Sequence, residues 1–228
     1  MTDKTSHDLE VLPKRNLFVF PDNMDAANRA AAKECHVFAM AAASAAFNPL
    51  AQTEEWFQNY TSVMQQCGWL TVHYKTEIVT NGGLAMDISN LVGKALQLAV
   101  GSMGAGVGDS VKKAGEAALE AIANAPEAVN LFTHDATEVD GSTLTLAQCE
   151  QSAGGEITMF LVSIQSDGDP VMEHKNKLFS WSYHSKVTVT NTAALVFHRG
   201  LYEAVRDVLV SRVTSQSRTS LLTMALKL

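Results

Sequence analysis

The residues best equipped for chemistry are seven histidines and the few acidic side chains near them. His134 and Asp135 are adjacent, a pairing that metal-dependent hydrolysis uses when further histidines and aspartates converge on one ion. This pair lies beside a turn, and no second His-Asp pair follows it. His73 and His184 fall on the polar sides of two different strands and would add to such a site only by meeting in space. His174 and His198 lie elsewhere, and two histidines alone leave a metal site incomplete. Asp167, Asp169 and Glu173 crowd one stretch, SDGDPVME, but lack the spacing of a calcium-binding loop and read as a solvated acidic loop. The three cysteines, Cys35, Cys67 and Cys149, are odd in number, widely spaced and outside any CxxC pair, so they read as buried free thiols. Cys35 or Cys149 as the nucleophile of a Cys–His pair has no supporting local signature. His36 follows Cys35 on a helix, where adjacent side chains diverge, and reads as a hydrogen-bonded core residue. No catalytic residue, cofactor or metal is assigned. A hydrolase assembled from His134, Asp135, His73 and His184 stands as an enzymatic alternative.

The stretch that stands out is 84–125, LAMDISNLVGKALQLAVGSMGAGVGDSVKKAGEAALEAIANA. Leu84, Ile88, Leu91, Val92, Ala95, Leu98 and Ala99 recur at helical spacing, with Asn90, Gly93, Lys94 and Gln97 opposite. Gly101, Gly104, Gly106 and Gly108 then interrupt the helix, since each glycine costs about 1 kcal/mol relative to alanine. Asp109 can cap a second helix striped by Val111, Ala114, Ala118, Leu119 and Ile122, which Pro126 stops. The expectation is a glycine-hinged helical hairpin. Its membrane and hinge candidates are Gly101, Gly104, Gly106 and Gly108 with Leu91, Val92, Leu98 and Val100. Gly101/Ala105 and Gly104/Gly108 are small-xxx-small pairs that favour close packing in lipid. Asp87, Lys94 and Asp109 interrupt the apolar run, so insertion would require a conformational change. A nucleotide-binding loop is disfavoured, because GSMGAGVGDS lacks a Gly-Lys-Ser/Thr ending and follows a helix rather than a strand.

The rest of the chain must hold these residues. Residues 1–15 are polar and read as a loose segment. NLFVF at 16–20 reads as a strand and Pro21-Asp22-Asn23 as its turn. An alanine-rich helix over about 24–47 should be buried around most of its circumference. After Asn48-Pro49, Thr53 reads as the cap of a second helix that Gly68 ends. WLTVHYKTEIV follows as a strand. Thr143–Ala147 is a short strand, and EITMFLVSI, apolar on both faces, should be central in its sheet. KLFSWSYH and KVTVTNTAALVF read as further strands, with Trp69 and Trp181 as core. LYEAVRDVLVSRV is a helix with a stripe of Leu201, Val205, Val208, Leu209 and Val213, and the tail RTSLLTMALKL leans to strand. The expected fold is α+β: a single three-layer domain over 16–228, its mainly antiparallel sheet covered by helices on both faces.

The chain of 228 residues carries a net charge of −7, with 46% apolar and 18% charged residues. That is a globular composition without a basic run, which argues against nucleic acid as a partner. MTDKTSHDLE has no apolar core of a secretory signal, so the protein is expected to be made in the cytoplasm, with export by a signal-independent route left open.

The order of elements resembles the Cyt-type cytolytic α/β toxins and related bacterial virulence factors. The likeness rests on the paired small-residue helices around 84–125 followed by EITMFLVSI and KVTVTNTAALVF, and it spans roughly 16–228. It implies a three-layer fold whose helices shield a sheet and move aside at a lipid surface. No functional residue is carried over. The leading expectation is therefore a non-enzymatic, membrane-interacting or pore-forming protein of toxin or virulence type, acting by release of the 84–125 hairpin. Lipid and the protein itself are its expected partners. A soluble homo-oligomeric scaffold or partner-binding protein is the alternative.

Overall fold

The computed structural model describes residues 7–12, 16–80, 86–87, 94–95, 97, 142–166, 180–181 and 187–225. In chain order the elements are β1 (His7–Leu12), β2 (Asn16–Pro21), α1 (Ala26–Ala46), α2 (Thr53–Gln66), β3 (Trp69–Thr80), β4 (Met86–Asp87), β5 (Ser142–Gln151), β6 (Ile157–Ser166), β7 (Ser180–Trp181), β8 (Val187–Phe197) and α3 (Arg199–Ala225). The fold is α+β. The chain divides into two compact units, one from 1–24 and 71–196, the other from 25–70 and 197–228.

The first unit holds a six-stranded sheet in the order β1-β2-β5-β6-β8-β3. β1 with β2, β5 with β6 and β6 with β8 pair antiparallel, whereas β2 and β5 run parallel. β6 lies between β5 and β8, the central place that its unalternating sequence predicts, and Ile157–Gln165 is buried throughout. The β5–β6 hairpin closes on Ser152, whose carbonyl accepts from Gly155 N at 2.9 Å and whose Oγ accepts from Glu156 N at 3.1 Å. In β2 every residue is buried, and the Phe18 and Phe20 rings stack at 5.4 Å.

Two expectations in this unit are corrected. Residues 1–15 read as loose, yet His7–Leu12 pairs residue for residue with β2. Asp8 and Glu10 alternate with Leu9 and Val11, a strand pattern within a polar stretch. Helical spacing from Leu84 suggests a helix, yet Met86–Asp87 pairs antiparallel with Ser180–Trp181. Side-chain spacing does not prevent a short strand where a neighbouring strand offers backbone hydrogen bonds. Further on, Lys94, Ala95 and Gln97 are helical; Ala95 is buried while Lys94 and Gln97 are exposed, the sidedness expected of them. Gly101, Gly104, Gly106, Gly108, Leu91, Val92, Leu98 and Val100, and with them the hinge and second helix, lie outside the described residues.

The second unit contains α1, α2 and α3. Asp25 caps α1: its Oδ1 accepts from Asn28 N at 2.7 Å and its Oδ2 from Asn28 Nδ2 at 2.9 Å. Asn28, Ala31, Ala32, Cys35, His36, Ala39 and Ala43 form one buried face, whereas Val37 and Ser44–Ala46 are exposed. The burial is thus narrower than alanine content implies, because a methyl side chain tolerates solvent at little cost. Asn48 Oδ1 accepts from Leu50 N and Ala51 N, both at 2.9 Å, and turns the chain into α2. Thr53 does not cap this helix. Its hydroxyl donates to the carbonyls of Pro49 and Leu50 at 3.1 and 3.2 Å, and Gln52 occupies the cap position without a side-chain bond.

Gly68 ends α2 at φ +92°, and a Cβ there would lie 2.8 Å from Tyr202 N and 2.9 Å from His198 O. His198 N in turn donates to Gly68 O at 2.7 Å. Trp69 packs on Phe197 at 4.8 Å, and Phe197 on Tyr202 at 5.6 Å. α3 runs through to Ala225, so the tail is helix rather than strand: no glycine or proline follows Gly200 to stop it. Its buried residues include Tyr202 and Leu209, whereas Leu201 and Val208 are exposed, which turns the stripe away from the one expected.

Candidate functional site

Side chains two apart on a strand share a face, so register decides which residues form a row across the sheet. Asn16 pairs with Thr145, Thr145 with Ser163, and Ser163 with Asn191. On the adjoining strand, Thr76 Oγ1 donates to Asn191 Oδ1 at 2.7 Å. Five strands therefore place a polar residue on one line. Gln165 shares the face of Ser163, two positions along β6.

This row is inside the protein. Asn16 is 5% exposed, Thr145 and Gln165 2%, and Ser163 and Asn191 0%. Among the described residues, Thr145 Oγ1, Ser163 Oγ, Asn191 Nδ2 and both amide atoms of Gln165 have no hydrogen-bond partner. Each such atom costs roughly 1–3 kcal/mol, because water would have satisfied it. Two residues along on the same face, Phe18, Ala147, Leu161 and Ala193 form a buried apolar row by the same register. On the opposite face the row through Leu17, Leu146 and Val162 is apolar as far as Thr192, whose hydroxyl donates to Lys75 O at 3.4 Å. The polar row is the longest such line in the sheet, and Gln148 Oε1 and Thr190 Oγ1 are further buried unsatisfied atoms on the opposite face.

The residues singled out for chemistry do not converge among the described residues. His36 Nδ1 lies 2.8 Å from Tyr60 OH in the α1–α2 interface, and burial pushes its pKa down to about 3. It is a core histidine, as expected. Cys35, Cys67 and Cys149 are all buried and free. Cys35 Sγ donates to Cys67 O at 3.6 Å. Hydrogen bonding with Cys67, then burial, pushes the Cys35 thiol up, and burial with nearby Glu150 does the same to Cys149, so neither is a ready thiolate.

His73 is half-buried on β3, its Nε2 buried without a partner among the described residues. His198 is exposed and its Nδ1 accepts from Leu201 N at 3.3 Å. His134, Asp135, His174, His184, Asp167, Asp169 and Glu173 lie outside the described residues. Among the described residues no group of three or more His, Cys, Asp or Glu is placed to hold a metal ion.

The polar row itself is not apparent by motif. Ser163 does interrupt an apolar run, FLVSI, which is the one signal available, whereas Asn191 sits between Thr190 and Thr192; their alignment with Thr145 and Asn16 exists only in the paired sheet.

No family model matches the chain, and no curated protein matches it. Among solved structures it is similar to a delta-endotoxin, at 14% identity and a TM-score of 0.42, over 87% of this chain and 90% of that one. It is also similar to the Evf virulence factor, at 12% identity and a TM-score of 0.30, over 92% of this chain and 85% of that one. This is a weak, architecture-level resemblance of the kind that the order of elements suggests, and at such scores no residue role transfers.

Proposed function

We propose that this protein is a non-enzymatic, membrane-interacting protein of toxin or virulence type, which forms pores by uncovering its sheet at a lipid surface. The observation that supports this reading is the buried row of Thr145, Ser163, Gln165 and Asn191 with unsatisfied polar atoms. A covered face of that kind gains hydrogen bonds when it meets water, so uncovering it costs less than uncovering an apolar face. Release of the 84–125 segment is the movement we assign to the uncovering.

Strand length fits the second half of the proposal. β3, β5, β6 and β8 have 12, 10, 10 and 11 residues, against the roughly 9–11 with which a tilted strand crosses a bilayer. Among the described residues no helix is long and apolar enough to cross a membrane; in this reading the strands are the crossing element.

Liposomes loaded with a self-quenched dye test it. The expected result is dose-dependent release by the purified protein. Absence of release from zwitterionic and anionic vesicles, at neutral and acidic pH, overturns the proposal.

A further inference from the structure

β3 is an edge of the six-stranded sheet, paired with β8 and, among the described residues, with nothing on its other side. Its twelve residues give it a long row of backbone groups able to pair with another strand. Natural edges are blunted by short length or by inward charge. β1, at the opposite edge, has six residues and two acidic ones, Asp8 and Glu10. β3 is twice as long, and its two charges, Lys75 and Glu77, are opposite in sign, so they do not by themselves repel a second copy of the same strand. It carries two of the five exposed large hydrophobic residues found among the described residues, Val72 at 52% and Ile78 at 66%.

The sequence of this edge is complementary to itself read backwards. Laid antiparallel against a second copy with the two-fold axis at Thr76, Lys75 faces Glu77 of the second copy, and Glu77 faces its Lys75. Tyr74 meets Ile78, Val72 meets Thr80, and each relation occurs twice. Opposite charges and aromatic–β-branched pairs directly across are the favourable cross-strand combinations. Neighbouring registers that keep the faces matched lose this. Moving the axis to residue 75 sets Lys75 against Lys75, and moving it to residue 77 sets Glu77 against Glu77. Like charges directly opposite are destabilising.

Within the chain, Lys75 Nζ and Glu77 Oε1 already lie 2.6 Å apart on one face of β3, both at least partly exposed. The charged pair is therefore available to be shared with a neighbour. Tyr74 and Thr76 share the other face, their hydroxyls 3.1 Å apart.

We infer that β3 is the interface of a homodimer, in which two copies join their sheets edge to edge through an antiparallel β3–β3 pair centred on Thr76. The contact is isologous, so it closes at two copies and does not propagate. It does not depend on membrane activity and stands or falls separately from it.

The test uses the 228-residue chain of 24.6 kDa in sedimentation velocity and native mass spectrometry over a concentration series. The wild type is expected to pass from monomer to dimer as concentration rises. K75E alone and E77K alone each place like charges opposite one another twice, and should weaken dimerisation by about tenfold or more. Mixing these two variants in equal amounts restores complementary pairs, so a heterodimer carrying one of each is expected. The double variant K75E/E77K should dimerise like the wild type. Circular dichroism checks that these variants at the sheet's edge remain folded. A wild type that stays monomeric up to its solubility limit overturns the inference, as does a ladder of larger oligomers. A dimer indifferent to K75E and E77K, or single variants that fail to form the heterodimer, also overturns it.

Discussion

His36 is a titratable side chain held where a charge is not tolerated. Its folded pKa, about 3, lies below the unfolded value near 6.5 because burial penalises the protonated ring. Between those values the unfolded chain binds the extra proton. Stability contributed by His36 is therefore fully present above about pH 6.5 and is lost as pH falls toward 3, at about 1.4 kcal/mol per pH unit. H36Q keeps a polar group for Tyr60 OH without the titration. Urea midpoints measured at pH 7 and pH 5 should fall more for the wild type than for H36Q, and equal falls refute this account. Gly68 sets a second residue-scale limit. G68A combines a left-handed backbone with a Cβ inside the contact distance of Tyr202 N and His198 O. It should destabilise the protein by about 2 kcal/mol or more, read as a lower thermal midpoint.

The strands show most clearly what sequence alone reveals and what it does not. EITMFLVSI announces its central place because an unalternating apolar run must be covered on both faces, and β6 has that place. β1 is hidden because Asp8 and Glu10 make its stretch look solvated, although alternation with Leu9 and Val11 is present. The end of α3 is hidden because Ser and Thr lower helix propensity without ending a helix. The polar row is hidden for another reason: a row is a property of register, and Asn16 and Thr145 belong to segments far apart in the chain. That row makes its own prediction. Thr145→Val keeps the side-chain shape and removes a hydroxyl that has no partner. It should stabilise the protein by about 1 kcal/mol, raise the thermal midpoint and, if uncovering of the sheet limits activity, slow dye release. A lower midpoint would show that the Thr145 hydroxyl is satisfied after all.

At the scale of the whole molecule, charge governs the approach to a surface. The net charge is −7 at pH 7 and the sequence pI is about 5.4, so anionic lipid repels the protein at neutral pH and attracts it below the pI. Vesicle flotation should show partition onto anionic membranes rising steeply as pH falls from 7 to 5, with a much weaker trend on zwitterionic ones. Strongest binding to anionic vesicles at pH 7 would mean that a local patch, not net charge, decides contact. The parallel alignment of Asn16 with Thr145 also has a consequence for biogenesis. The inner flank of β2 gains its neighbour only after about 130 further residues leave the ribosome, roughly 6–25 seconds at ordinary translation speed. Throughout that delay the nascent chain carries NLFVF without its final partner, a sticky template from which chaperones must keep other chains away. Polypeptides truncated before β5 are therefore expected to aggregate rather than accumulate as a stable N-terminal fragment.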